Sequence, residues 1–193
     1  MNRDPARGRL ARGVVVALWL PYLALNTAFP GPGLTYGLGL AIAAASVGAL
    51  LLAGATSREL FLRPAPLSRV GAVLLLAVLV TLPLAVAVGR GQRLEWLGTF
   101  GAAPASAIAQ EVYFRAALLA ALDGLSRGRH GVSVQALLFA FWHARAFREV
   151  DPGPALLVLL GAGVVGLAWG WQVRRDRTVI YATIEHALLL AAL

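Results

Sequence analysis

The sequence predicts an all-α protein, a polytopic bundle of about seven membrane-spanning helices in one domain over residues 1–193. Three observations carry this. First, 59% of the 193 residues are hydrophobic and 13% are charged, with a mean hydropathy of +0.75. Soluble domains sit near about 45–50% apolar and about 25% charged. Second, the apolar residues form long uninterrupted runs, as helices in lipid require. Third, the basic residues are all Arg, and most fall in the short stretches between those runs. That placement reports membrane topology and anionic headgroups. Nucleic acid is not an expected partner, because no basic stretch is interleaved with aromatics despite the net charge of +8.

In chain order the predicted spans are 13–29, 34–55, 70–89, 103–124, 132–147, 155–173 and 179–193. A full crossing takes about 20 residues at about 1.5 Å each. The first run follows a basic segment, Arg3 to Arg12, as a signal peptide would. Its apolar stretch, Gly13 to Phe29, is long for that role, and no small-x-small cleavage site precedes Pro30, so a retained helix is expected. Pro83 is a candidate kink in the third span. The fifth and seventh spans are short, which suits small tilt, extension into loops or a locally thinned bilayer. Trp96, Trp142, Trp169 and Trp171 fall near predicted span ends, as interfacial aromatics do, whereas Trp19 sits deeper and is expected to pack against a helix.

With seven spans, one side of the membrane holds Arg3, Arg7, Arg9, Arg12, Arg58, Arg63, Arg69, Arg127, Arg129, Arg174, Arg175 and Arg177. The other holds Arg90, Arg93, Arg145 and Arg148. The imbalance places the N-terminus in the cytoplasm and the C-terminus outside. There is no Cys, so disulfides, thiolate ligands and a Cys nucleophile are excluded. Ala-, Leu- and Arg-rich, Lys-free usage suggests a GC-rich bacterial genome, hence a multi-pass protein of the bacterial inner membrane.

Ionisable side chains within lipid are costly, and each is a functional candidate. The fourth span carries Gln110, Glu111 and Arg115; Glu111 and Arg115 are four apart and share a helix face. That pair is either a packing device or a means of keeping Glu111 ionised. The fifth span reads Phe139-Ala-Phe-Trp-His143, and a lone intramembrane His is often just an interhelical hydrogen-bond donor. The seventh carries Glu185 and His186, which point about 100° apart, so one can line a site while the other pairs elsewhere. Counted along alternating spans, Glu111, His143 and His186 all fall about 6–12 Å below the outer surface. A shared depth points to one site made of a carboxylate and two imidazoles. Such a set supports water activation by the carboxylate with imidazole help, or zinc held by the histidines and a carboxylate. Either hydrolyses an amide bond.

At these residues the chain resembles the CPBP family of CAAX-processing and bacteriocin-processing intramembrane endopeptidases. Family members carry Glu-Glu-x-x-x-Arg, Phe-x-x-x-His and His-x-x-x-Asn or Asp on successive core helices. Here Gln110-Glu111-x-x-x-Arg115 resembles the first, Phe139-x-x-x-His143 matches the second, and His186-x-x-x-Leu190 is half of the third. The motifs lie within a core of about 103–193. Two positions depart: Gln110 stands where the family's water-activating Glu does, and Leu190 where an oxyanion-stabilising Asn does. Gln is no base near neutral pH. The resemblance therefore implies an endopeptidase acting on a membrane-embedded or C-terminally anchored protein, with Glu111 promoted to base. Arg115 would orient it, His143 and His186 would hold water and oxyanion, and Gln110 would bond the substrate backbone. No cofactor is required on that mechanism; zinc on His143 and His186 is the alternative. Small size and Arg-rich composition are also similar to the myxosortase subset, which processes C-terminal sorting signals. Two other readings remain: an inactive family member that binds membrane peptides as a chaperone or immunity factor, and a transporter or proton relay. Arg145, Glu149 and Asp151 form either a charged rim near the site or, as the sequence favours, a solvated loop.

Overall fold

The computed structural model describes residues 4–28, 32–88 and 103–192, and all seven expected spans coincide with helical segments among them. We label these α1 (Pro5–Ala28), α2 (Pro32–Leu52), α3 (Leu67–Val88), α4 (Ala103–Ser126), α5 (Gly131–Trp142), α6 (Pro152–Asp176) and α7 (Ile180–Ala192). Three of them, α1, α4 and α6, are both long and apolar enough to cross a membrane. Shorter apolar stretches, Gly37–Leu52, Leu67–Leu79 and Ile180–Ala191, lie on α2, α3 and α7.

Local chemistry sets the helix ends. Asp4 caps α1 by accepting from Ala6 N–H at 2.9 Å, with Pro5 at the first helical position. The helix therefore starts well before the apolar run does. The first polar turns were invisible to a hydropathy count, because capping, not burial, stabilises them. Helix α4 ends on Arg127 in the left-handed region (φ 55°), with Gly128 N–H returning to Asp123 O at 2.8 Å. Helix α6 ends on Arg177 in the same way.

The largest correction concerns the fifth span. It is not one helix over 132–147. Helix α5 has 12 residues and stops at Trp142, about 18 Å along its axis. A single 3₁₀ turn, His143–Arg145, and a short helix, Ala146–Glu149, follow.

Helix α4 is the centre of the bundle. Tyr113 through Leu119 are all fully buried, with α1, α2 and α5 packed around them. Tyr22 of α1 meets Tyr113 edge-on at 4.9 Å, and Phe114 meets Phe139 of α5 in the same manner at 5.1 Å. Val15 of α1 is fully buried and its carbonyl accepts from Tyr113 Oη at 3.1 Å. Helix α7 lies between α3 and α4.

Trp142 and Trp169 are covered by protein rather than turned outward. Both belong to this core, at 7% and 8% exposure. A tryptophan near a span end by residue count is still buried when a neighbouring helix covers it. Trp171, 59% exposed, fits the interfacial expectation. Trp19 packs as expected, donating to Leu138 O on α5 at 3.2 Å. Trp96, Arg90 and Arg93 lie outside the described residues.

The Arg-rich stretches converge at one end of the bundle. Asp4, Arg9 and Arg12 share a cleft with residues 53–55. Arg174 pairs with Asp123 across the α4–α5 and α6–α7 corners. Leu62 forms an isolated antiparallel bridge with Thr178.

Candidate active site

Helix α4 changes its winding where its ionisable residues lie. Residues Val112–Leu118 form a π-helical segment, and Leu119 N–H bonds Phe114 O, five residues back. Such segments often mark functional positions, since they rotate side chains out of α-helical register. Glu111 immediately precedes it and Arg115 lies within it.

Glu111 and Arg115 are both fully buried, with Arg115 Nε 3.1 Å from Glu111 Oε2. The other oxygen, Oε1, is 2.9 Å from His186 Nδ1 on α7. A carboxylate oxygen accepts, so His186 Nδ1 is the donor in this contact. The Arg115 guanidinium lies 4.3 Å from the centroid of Phe139, a cation–π contact. Its nitrogens make no aligned hydrogen bond among the described residues, so the ion pair with Glu111 is what offsets their burial.

Glu185 and His186 do diverge. Glu185 turns to α6, accepting from Trp169 Nε1 at 2.7 Å and Gln172 Nε2 at 2.9 Å. The Trp169 ring in turn lies over His186 at 4.9 Å, tilted by 34°.

His143 stands at the break after α5. Its backbone N–H bonds Ala140 O in 3₁₀ fashion, which frees Phe139 O from the usual i→i−4 bond. His143 Nδ1 takes that carbonyl at 2.9 Å. A carbonyl only accepts, so Nδ1 again donates and Nε2 is bare. Phe139 sits between the two imidazoles, at 4.8 Å from His143 and 6.0 Å from His186.

A cleft of about 520 Å³ opens beside this cluster. Gln110, His143 and Leu190 line it, together with Ser106, Asn26 and Trp142. Glu111, Arg115 and His186 lie behind its wall. Gln110 donates to Ser106 Oγ at 2.9 Å, and its Oε1 has no hydrogen-bond partner among the described residues. Asn26 donates to Trp142 O at 2.7 Å. Arg145 and Glu149 also line the cleft and pair with each other, so two of the three loop charges belong to its rim rather than to a solvated loop; Asp151 does not.

The α4, α5 and α7 side chains thus meet as their shared depth suggests, but in two layers. Gln110 and His143 face the cleft, whereas Glu111, Arg115 and His186 form the buried layer behind. Among the described residues no three His, Asp or Glu side chains gather as a metal site requires. Ser106 and Asn26 were missed by sequence reasoning. Both left a legible trace: Ser106 is one turn from Gln110, and Asn26 is a lone amide near the end of the first apolar run.

A protein-family model described as type II CAAX prenyl endopeptidase Rce1-like matches residues 92–191. The chain belongs to this family. The match spans α4 to α7 and so contains every motif residue named above. Membership in the Rce1-like family makes this a membrane-protease fold, in agreement with its helical architecture and with the three helices among the described residues that are able to span a bilayer. Neither a curated protein nor a solved structure matches the chain.

Proposed function

We propose that the protein is an intramembrane endopeptidase that hydrolyses a peptide bond of a membrane-embedded or C-terminally anchored substrate. The observation that carries this reading is the 2.9 Å contact joining Glu111 and His186, on helices 75 residues apart, behind a cleft lined by His143. Family membership supports the reaction class.

Both oxygens of Glu111 are engaged and none of its surface is exposed, so Glu111 acts through His186 rather than on water directly. In this reading His143 Nε2, on the cleft side, takes a proton from the attacking water. The Glu111–His186 pair in the buried layer behind stabilises the charge that this imidazolium gains. Hydroxide oxygen bonds to the scissile carbonyl carbon. The proton then passes to the leaving amide nitrogen as the C–N bond breaks. Gln110 Oε1, an acceptor without a partner among the described residues, takes a substrate backbone N–H. The reading needs no metal. C-terminal sorting signals of the myxosortase kind are the substrate class proposed, on the sequence's composition and motif departures alone.

The test is cleavage, in bacterial membranes, of precursors that keep a C-terminal helix. His143→Ala leaves the Glu111–Arg115 pair intact and is expected to lower cleavage at least about 100-fold. Unchanged cleavage in this variant would sink the assignment. Chelator treatment is expected to leave the wild-type rate unchanged.

A second reading is a non-catalytic peptide-binding member. It is favoured by Gln110 and Leu190, which line the cleft at the two positions where the family motif carries a carboxylate and an amide. It predicts that a His143→Ala, His186→Ala double variant supports wild-type function in cells and still crosslinks to the same membrane peptides.

A further inference from the structure

A second cleft, of about 580 Å³, opens near the N-terminal end of α7, whereas Leu190 of the candidate active site lies near its C-terminal end. Arg69 and Val73 of α3 line one side, and Gln172, Arg175, Asp176 and Tyr181 of α6 and α7 the other.

Its polar groups are unevenly matched. Tyr181 is 3% exposed, and its hydroxyl has no hydrogen-bond partner among the described residues. A buried hydroxyl without a partner has lost its hydration with nothing to offset it. Arg69 is exposed, lies within electrostatic reach of Asp176, and makes no ion pair with it. The nearby carboxylates are already engaged. Asp176 receives Arg175 through both oxygens, at 2.7 and 2.8 Å, and Glu185, behind Gln172, receives Gln172 and Trp169. Among the described residues this leaves the Arg69 guanidinium and the Tyr181 hydroxyl without a hydrogen-bond partner, beside the side-chain amide of Gln172.

The surroundings are those of a membrane interface. Arg175 lies 4.8 Å over Trp171, an exposed indole, which marks headgroup depth. From Arg69 the outer flank of α3 continues as Leu75, Leu76 and Leu79, each more than 60% exposed. A ligand for this cleft is an oxyanion attached to an apolar chain.

We propose that the cleft binds the phosphate of a membrane phospholipid headgroup, with Arg69 and Tyr181 as its donors and the α3 leucines beside its acyl chains. A phosphodiester carries one negative charge and offers acceptors only, which complements the two unmatched donors. The leucine flank is what favours a lipid over free phosphate.

The full chain would be reconstituted in nanodiscs of mixed phosphatidylglycerol and galactosyldiacylglycerol, and retained lipid read by native mass spectrometry. Wild type is expected to retain phosphatidylglycerol. Arg69→Gln is expected to lose about tenfold in retention, as a charge-assisted hydrogen bond of this kind implies. Tyr181→Phe, which keeps the ring packing, is expected to lose several-fold. Equal retention in all three proteins, or preference for the phosphate-free galactolipid, would overturn the proposal. Loss in Arg69→Gln with none in Tyr181→Phe would reduce the site to surface attraction and also overturn it. Displacement of the retained lipid by millimolar inorganic phosphate would reassign the cleft to a free anion. Peptidase activity does not enter any of these outcomes.

Discussion

Glu111 has two partners on two helices, and that shapes what any substitution there reports. Replacing it by Gln removes the carboxylate that holds His186 but also strands Arg115, a fully buried cation whose nitrogens make no aligned hydrogen bond among the described residues. Breaking one side of a buried pair costs about 3–5 kcal/mol, whereas replacing both sides by neutral groups of similar size is often near neutral. Glu111→Gln is therefore expected to be markedly less stable than wild type in detergent thermal melts. Glu111→Gln with Arg115→Met is expected to recover most of the loss. If the double variant melts no higher than the single, Arg115 is stabilised by something other than this ion pair. The contrast with His143 is useful, because the hydrogen bond of its half-buried ring among the described residues is to the backbone of its own helix end. Its removal tests chemistry with little effect on folding.

Trp169 connects two carboxylates without touching Glu111 itself. Its indole N–H is fixed by Glu185 and its ring covers His186. Glu185→Gln keeps an acceptor for that N–H, whereas Glu185→Ala leaves it without one. The alanine variant is expected to lower activity several-fold more than the glutamine variant, with the His186 side-chain NMR signals shifted only in the former. Identical behaviour of the two would mean that Glu185 does not position the Trp169–His186 stack.

At the scale of elements, the seam between α5 and α6 carries the cleft wall. Gly166 and Gly170, one turn apart on α6, let that helix approach α5 closely. A Cβ at Gly166 would stand 3.1 Å from the Ala136 Cα and 3.3 Å from the Phe139 ring. Backbone cannot retreat as a side-chain tip can. Gly166→Val is expected to cost about 1–3 kcal/mol and to disturb Phe139, on which both imidazoles lean. Gly170→Ala is the milder change, because its nearest neighbour is the Gln135 side-chain Oε1 at 2.8 Å, which can swing away. A thermal melt in which Gly170→Ala is the worse of the two would contradict this account of the seam. The same element scale explains why His143 faces the cleft. It is the first residue past α5, where the 3₁₀ turn releases one carbonyl and the imidazole fixes itself to that carbonyl.

For the whole molecule, charge and connectivity agree. The segments that carry most of the Arg meet at one end, joined by the Asp123–Arg174 pair and the Leu62–Thr178 bridge. The candidate active site lies toward the other end of α7. If the Arg-rich end is cytoplasmic, the cleft opens toward the outer surface. The chain has no Cys, so single substitutions can be labelled cleanly. Arg129→Cys is expected to react with an impermeant maleimide only after cells are opened, and Glu149→Cys in intact spheroplasts. The reverse pattern would invert the topology and place the site near the cytoplasm.

The sequence by itself determined the helical class and the seven helical segments found among the described residues, and it singled out Glu111, Arg115, His143 and His186 as candidates. Hydropathy runs and rare intramembrane charges are local properties, and a shared depth follows from counting along helices. Only the tertiary structure decided which of these face the cleft. Gln110 and Glu111 are adjacent, and no periodicity states which way a helix is rotated once a π segment alters its winding. Their separation into a cleft-facing amide and a buried carboxylate depends on the helices packed around α4. The burial of Trp142 and Trp169, the break after α5, and the turn of Glu185 toward α6 have the same origin. Each is set by a neighbour distant in the chain, and a neighbour's position is not encoded in the spacing of the residues it covers.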